Sequence, residues 1–189
     1  MTVKDIINIA SAMLGKTDLC DYLAGAELSD TDRARLLKET DYMTGCVNLV
    51  INEVATEYLP VVCSEYVNNY GGMIYYANLS SKVLDVVAVY DNAGNKISFN
   101  KLVDGIKTSS TVTKVEYSYI PPSYTLTETV AFADKNLPAR VIAYGVASEV
   151  CITEGRFEEA LIWQNRFRDS LKNLSEKVKN GQIKGRCFA

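Results

Sequence analysis

Apolar residues in the first third of the chain recur at helical spacing. Thr2 suits a helix N-cap, and the apolar side chains that follow it lie on one face until Gly15, which predicts a helix of about 12 residues. A second helix is predicted from near Ser29 until Pro60 stops it. Gly45 is the expected bend in this helix, because a glycine inside a helix costs about 1 kcal/mol relative to alanine. The pattern therefore predicts two N-terminal helices.

From residue 61 to residue 122 the pattern changes to short runs rich in β-branched residues and tyrosine, separated by Gly, Asn, Asp and Ser. Residues 91–95 (DNAGN) are typical of a hairpin loop, so we expect an antiparallel sheet. Pro121 and Pro122 end this sheet, since proline cannot donate to a strand ladder. The predicted strands are Met73–Tyr76, Val83–Tyr90, Lys96–Phe99 and Lys114–Ile120.

Two more helices are predicted in residues 137–179. Pro138 suits the first turn of a helix, and residues 141–152 are rich in small side chains that let another backbone approach. A tight turn at 154–156 leads into a last amphipathic helix, so the two helices form a hairpin. Residues 180–189 have no core pattern and two glycines, from which we expect a flexible C-terminal tail.

These elements predict a single domain of the α+β class. Its body is expected to be a helical bundle, made of two N-terminal helices in residues 1–59 and the C-terminal helical hairpin in residues 137–179. A small antiparallel β-sheet is inserted between the helical halves at residues 61–122.

The 189-residue chain contains no histidine. Without histidine the chain cannot form Ser-His-Asp or Cys-His nucleophile pairs or histidine-ligated metal sites. The Gly-Lys-Thr run at residues 15–17 follows a predicted helix, and Ala10 stands where a phosphate-binding loop needs its first glycine, so Gly15 is interpreted as a helix C-cap. We therefore expect no enzyme activity, no catalytic residues, no cofactor and no metal.

Two other candidate features are interpreted structurally. The acid pairs Asp30/Asp32 and Glu158/Glu159 lie in predicted first helical turns, where the helix dipole favours them. Eight tyrosines are expected in the core and at interfaces, although a stacking platform for a ligand is the alternative. These are Tyr58, Tyr66, Tyr70, Tyr75, Tyr76, Tyr117, Tyr119 and Tyr124.

We expect the five cysteines to be reduced thiols of a protein made in the cytoplasm, because their number is odd and no C-x-x-C pair occurs. The N-terminus has no signal-peptide pattern, and no apolar stretch approaches the roughly 20 residues of a membrane span. The sequence therefore predicts no membrane partner.

Charge is unevenly distributed along the chain. Residues 1–155 hold 12 basic and 19 acidic side chains, a net charge of −7, whereas residues 156–189 hold 8 and 4, a net charge of +4. This polarity suits head-to-tail docking between copies or docking on an acidic partner. A nucleic-acid-binding accessory protein that uses the basic C-terminal helix and tail is the alternative.

Several runs in about the last 75 residues resemble the head-tail adaptor proteins of tailed bacteriophages, also called connector or head-completion proteins. They are Val115–Pro121, Leu137–Ala139, Tyr144–Glu149 and Gly155–Ala160, followed by Trp163 and Phe167.

The resemblance implies a non-enzymatic virion protein that is made in the host cytoplasm. Copies of it would form a ring, commonly a dodecamer, between the portal protein and the tail or a further connector protein. The ring would extend the channel for packaged DNA. Because the C-terminal segment of such adaptors typically reaches the portal, the resemblance implies portal contacts through Lys177, Lys179, Lys184, Arg186 and Phe188.

Overall fold

A computed structural model describes residues 1–69, 72–109, 111–132 and 137–180, with the side chains of all of these except 68, 69 and 175–180. This part of the chain is an α+β fold with five α-helices and two three-stranded antiparallel sheets. It divides into two compact units: a helical unit, Met1–Glu53 with the chain from Ser123 onward, and a β unit, Val54–Pro122. No helix among the described residues is both long and apolar enough to cross a bilayer.

The helical unit begins as the sequence predicts. The Thr2 hydroxyl accepts a hydrogen bond from the Asp5 amide at 3.2 Å, and the Asp5 carboxylate accepts one from the Thr2 amide at 2.7 Å. This reciprocal capping box satisfies two amides at the helix start. The helices are α1 (Val3–Met13), α2 (Thr17–Ala24), α3 (Asp30–Glu53), α4 (Ala139–Thr153) and α5 (Phe157–Asn180).

Three helices, not two, precede the β unit. The sequence prediction missed α2, which has only eight residues and no side-chain cap at Lys16 to mark its start. The predicted long helix corresponds to α3 and a following π-helical turn, Val54–Tyr58. α3 continues as an α-helix through Gly45, because the buried side chains of Met43 and Val47 hold both sides of that position in the core.

α4 is central to the helical unit, where it packs against α1, α3 and α5. Its small residues allow this, as predicted: an added Cβ on Gly145 would lie 2.7 Å from Val50 of α3 and 3.2 Å from Phe167 of α5. The buried Ser148 hydroxyl also donates to the Ala160 carbonyl at 3.1 Å across the α4–α5 pair. Gly155 (φ +75°) forms the predicted turn between these two helices.

The described residues of the β unit form six strands in two sheets. One sheet has the order β1-β6-β3 and the other the order β2-β5-β4, with every neighbouring pair antiparallel. Apolar side chains from both sheets form one core, with Ile74, Val89, Ile106, Val115 and Tyr117 among its members. The strands are β1 (Val61–Asn69), β2 (Gly72–Tyr75), β3 (Val83–Tyr90), β4 (Asn100–Lys101), β5 (Gly105–Thr108) and β6 (Val112–Tyr119).

The predicted single sheet of about four strands is therefore corrected to two sheets of three. Residues 96–99 form no strand and contribute one isolated bridge, between Lys96 and Tyr90. The predicted turn at residues 91–95 is confirmed, but the isolated Tyr90–Lys96 bridge closes it in place of a second strand. The Asp91 carboxylate accepts from the Asn95 amide at 2.8 Å, and Gly94 has a φ of +79°. β6 ends at Tyr119, before the two prolines, as predicted.

Candidate functional site

The predicted portal contacts lie at or beyond the end of the described chain. Lys184, Arg186 and Phe188 lie outside the described residues, as do the other residues of the predicted tail from 181 onward. Lys177 and Lys179 belong to α5, but their side chains are not described. The described candidate surfaces lie elsewhere on the helical unit.

The Gly-Lys-Thr run lies between two helices. Leu14 is the C-cap of α1, and Gly15 follows it with a φ of +72°, so Gly15 terminates the helix one residue later than the predicted cap position. The Lys16 ammonium instead forms ion pairs with the carboxylates of Glu39 (2.7 Å) and Glu154 (2.8 Å). Lys16 thereby connects α3 to the end of α4.

These ion pairs belong to a longer series that we name the charged belt. Arg35 bridges Asp18 (2.6 Å) and Glu39 (3.8 Å) on one side of Lys16. On the other side, Arg156 bridges Glu154 (2.6 Å) and Glu159 (2.8 Å). In order along the surface, the belt is Asp18, Arg35, Glu39, Lys16, Glu154, Arg156 and Glu159.

Ion pairing in the belt shifts the pKa values of Glu154, Lys16 and Asp18 toward their charged forms. The hydrogen bond from Lys16, aided by one from Arg156, lowers the pKa of Glu154 despite partial burial. Burial opposes the charge on Lys16, but hydrogen bonds to Glu154 and Glu39 outweigh it and raise the Lys16 pKa. Arg35 likewise lowers the pKa of Asp18. These shifts favour the charged forms of Lys16, Glu154 and Asp18, so the ion pairs of the belt connect the helices at neutral pH.

A stack of four side chains, which we name the aromatic ladder, continues from the belt. Glu159 accepts a hydrogen bond from the indole nitrogen of Trp163 at 3.4 Å. The Trp163 ring stacks on Tyr144 of α4, with ring centroids 5.8 Å apart and planes 19° apart. The guanidinium of Arg166 lies 5.1 Å from the Trp163 centroid, and that of Arg140 lies 5.7 Å from the Tyr144 centroid.

α3 carries an open groove of about 540 Å³ on the helical unit. Tyr42, Gly45 and Leu49 lie along it at helical spacing, and no atom comes within 4 Å of the place where a Gly45 side chain would begin. Ser123 forms its far edge, where Asn48 holds the returning chain through two hydrogen bonds to the Tyr124 backbone, of 2.8 and 3.0 Å. Leu49 is 61% exposed, so this groove offers apolar surface to a partner.

The start of α5 exposes a second set of apolar side chains. Phe157 is 68% exposed and Leu161 is 62% exposed, one helical turn apart. Ile162 and, at the end of α4, Ile152 are also exposed. Apolar side chains that project from a helix in this way suit contact with a protein partner rather than with a small ligand.

The other predicted features behave mainly as structural elements. Asp30 and Asp32 lie in the first turn of α3, and Glu158 and Glu159 in the first turn of α5, as expected. The tyrosines do not form one platform: Tyr117 is buried in the β unit, where its hydroxyl donates to Glu65 at 2.9 Å, whereas Tyr66 is 83% exposed. Tyr70 lies outside the described residues.

Four of the five cysteines, Cys20, Cys46, Cys63 and Cys151, are free thiols, and Cys187 lies outside the described chain. Within residues 1–69, 72–109, 111–132 and 137–180, no cluster of three or more Cys, Asp or Glu side chains is arranged to hold a metal ion.

Sequence reasoning missed both the belt and the ladder. Their local pairs stand at helical spacing, as in Arg140 with Tyr144 and Trp163 with Arg166, and could have been found. Their contacts between helices could not, because Lys16 and Glu154 are 138 residues apart in the chain. No model of a known protein family matches this chain, and no curated protein matches it.

Proposed function

We propose that this chain is a structural protein of a tailed-bacteriophage virion. Copies of it would form a ring between the portal protein and the tail or a further connector protein, extending the DNA channel and completing the head. The resemblance of residues 115–167 to head-tail adaptors supports this identity, and the α+β fold agrees with it. The protein would be made in the host cytoplasm and act in the virion without enzyme activity.

The proposal includes a helical bundle as the body of each copy. The packing of α4 against α1, α3 and α5 supports this arrangement within the helical unit. The β unit is inserted in the chain between α3 and α4, and its first sheet exposes Val62, Tyr66 and Val87. We assign this sheet face to a partner other than the neighbouring copy, such as the tail or a further connector protein.

The observation that carries the proposal is the apolar surface of the helical unit. Leu49 beside the α3 groove, and Phe157 and Leu161 on α5, expose large apolar side chains that an isolated protein gains nothing by displaying. Surfaces on different helices suit a heterologous interface, in which one surface of a copy contacts a different surface of the next and a fixed rotation closes a ring.

The charge distribution supports the same kind of contact. The segment from residue 156 onward has a net charge of +4, and the preceding chain has −7. Attraction between these segments of adjacent copies would orient them head to tail. Isolated copies can still be monomeric, because an interface that is weak alone is strengthened when a portal holds neighbours at high effective concentration.

The test is to co-express the chain with the portal protein encoded in the same genome and to image purified portals by electron microscopy. A ring of copies on the portal is expected. Leu49→Gln and Leu161→Gln should each reduce ring occupancy at least several-fold, since each places an amide in an apolar contact. Val103→Gln is the matched control, because Val103 is 94% exposed and belongs to the β unit.

Portals without a ring would contradict the proposed function itself. Equal occupancy for all three variants would mean that the ring exists but uses another surface. The gene order gives an independent check, since an adaptor gene is expected just after the genes for portal, protease and major capsid protein.

The C-terminal portal contacts are tested separately. Deleting residues 180–189 removes Lys184, Arg186 and Phe188 and is expected to leave a folded chain that no longer docks on portals. Circular dichroism checks the fold, and co-purification checks docking. A truncated chain that unfolds, or that still forms rings on portals, would show that these residues do not serve as portal contacts.

A further inference from the structure

The aromatic ladder ends in two arginines that take no part in the charged belt beside it. Tyr144 and Trp163 are half-buried, whereas Arg140 and Arg166 at the two ends are exposed. Neither arginine forms an ion pair with a carboxylate among the described residues, although Arg35 and Arg156 in the belt form two each. Among the described residues, the two arginines of the ladder therefore carry positive charges that no ion pair neutralises.

The contact of each guanidinium with an aromatic ring determines which of its atoms remain available to bind another molecule. A guanidinium that lies over a ring uses its flat face in that contact, and its N–H donors in the plane remain directed outward. Such a planar fork matches the oxygens of a carboxylate or a phosphate. Neither guanidinium of the ladder spends its N–H donors on an ion pair among the described residues, so both can donate to such oxygens.

The rings themselves are already occupied. Each ring stacks on the other ring and contacts a guanidinium, so little ring face is left for a nucleic-acid base. Binding of single strands depends on stacking of bases on aromatic rings, and this arrangement does not favour it. Contacts made by the forks alone would reach the phosphate backbone and carry no sequence information.

The residues around the ladder favour the binding of phosphate groups. Glu159, which contacts the ladder, already bonds Arg156 and the Trp163 indole. Beyond Trp163, basic side chains outnumber acidic ones along α5. Residues 166–173 hold three basic side chains, Arg166, Arg168 and Lys172, against one carboxylate, Asp169. The field along this part of α5 is therefore positive on a chain whose net charge is −3.

We propose that the aromatic ladder binds the phosphate backbone of double-stranded DNA through Arg140 and Arg166, independently of base sequence. The site lies within one copy of the chain, so binding does not require a ring. In the proposed ring, the bound duplex would be the packaged DNA of the channel.

The test measures binding of the full chain to a fluorescent DNA duplex of about 30 base pairs between about 50 and 200 mM salt. Two phosphate contacts contribute about 1.8 to the slope of log K against log salt, at about 0.9 each. Arg140→Gln with Arg166→Gln is expected to lower the slope by that amount and to weaken binding at about 50 mM salt by tenfold or more.

Arg33→Gln is the matched control. Arg33 is an exposed arginine of α3 that forms no ion pair among the described residues, and it lies outside the ladder. This variant removes the same charge and is expected to keep the wild-type slope. If the double variant unfolds, as judged by circular dichroism, each single variant is measured and is expected to lower the slope by about 0.9.

Trp163→Leu tests the stacking itself, because it keeps both arginines but removes the ring between them. Affinity for the duplex is expected to fall severalfold. A change of duplex sequence should have no effect.

Three results would overturn the proposal: no binding of the duplex at low salt, an unchanged slope for the double variant, or an equal loss with Arg33→Gln. Binding of polyglutamate in place of DNA, abolished by the double variant, would also overturn it and would assign the ladder to an acidic protein partner. Each result is independent of ring formation on portals, so failure here leaves the proposed function standing.

Discussion

Two glycines in neighbouring helices provide a matched test of how closely the helical unit is packed. Gly45 lies inside α3 and Gly145 inside α4, and alanine at either position removes the same cost of a glycine in a helix. The surroundings differ: a Cβ at position 45 meets no atom within 4 Å, whereas a Cβ at position 145 meets two methyl groups of Val50 and the Phe167 ring.

The contacts at position 145 determine how strongly Gly145→Ala destabilises the helical unit. The new Cβ would lie 2.7 and 3.1 Å from the two methyl carbons of Val50 and 3.2 Å from Phe167, so no rotation of Val50 removes both methyls easily. Overpacking of this kind costs about 1–3 kcal/mol. Gly45→Ala is expected to raise the free energy of unfolding by about 0.5–1 kcal/mol. Both variants gain the same helix propensity from alanine, so this gain cancels in their comparison. Gly145→Ala should therefore be less stable than Gly45→Ala by about 1–3 kcal/mol.

The assay is urea unfolding followed by tryptophan fluorescence. Trp163 is the single tryptophan of the chain and belongs to the helical unit, so the signal reports on that unit. Unchanged m-values would show that the shift in midpoint reflects stability. Val50→Ala opens space at the contact, so the Gly145→Ala/Val50→Ala double variant should be more stable than additivity predicts, by about 1 kcal/mol. Equal stability of the two alanine variants would refute the close approach of α3, α4 and α5 at Gly145.

Three further predictions concern the β unit, the belt and the ring. Gly105→Ala would push a Cβ against the carbonyl oxygen of Ile74, so it is expected to destabilise the β unit by about 2 kcal/mol or more, measured as faster amide exchange in β2 and β5. Because Lys16 lowers the pKa of Glu154, this ion pair stabilises the fold above the ordinary pKa of 4.5 and is lost as pH falls through the lowered value. The unfolding free energy of Glu154→Gln should therefore fall less steeply between about pH 5 and pH 3 than that of the wild type. Ring occupancy on portals should decrease as salt rises, because attraction between the −7 and +4 segments is screened within about 10 Å at 0.1 M; occupancy that is indifferent to salt would show that the contacts are mainly apolar.

The sequence by itself determined the elements whose signals are local. The Thr2 cap and the apolar spacing after it define α1, and the glycine turn at Gly155 separates α4 from α5. The loop at residues 91–95 could also be predicted from the sequence. The Asp91 side chain bonds the loop backbone, and Gly94 adopts the positive φ that such a turn requires. In each case the groups that interact lie within a few residues of one another.

The tertiary structure alone decided the elements that depend on distant partners. α2 is too short to form by its own propensity, and it holds two buried leucines, Leu19 and Leu23, in the core of the helical unit. The division into two sheets depends on which strands pair: β6 lies between β1 and β3, while β5 pairs with β2 and β4. The alternation of apolar and polar residues within one strand does not show which other strands it pairs with.

The candidate surfaces follow the same division. The sequence showed the basic C-terminal segment, because charge can be counted along a chain. It did not show that Lys16 joins Glu39 to Glu154, or that Tyr144 stacks on Trp163, because these pairs meet only when α4 packs against its neighbours. Side-chain chemistry is a property of the sequence, but which charges are neutralised and which remain available to a partner is decided by packing between helices.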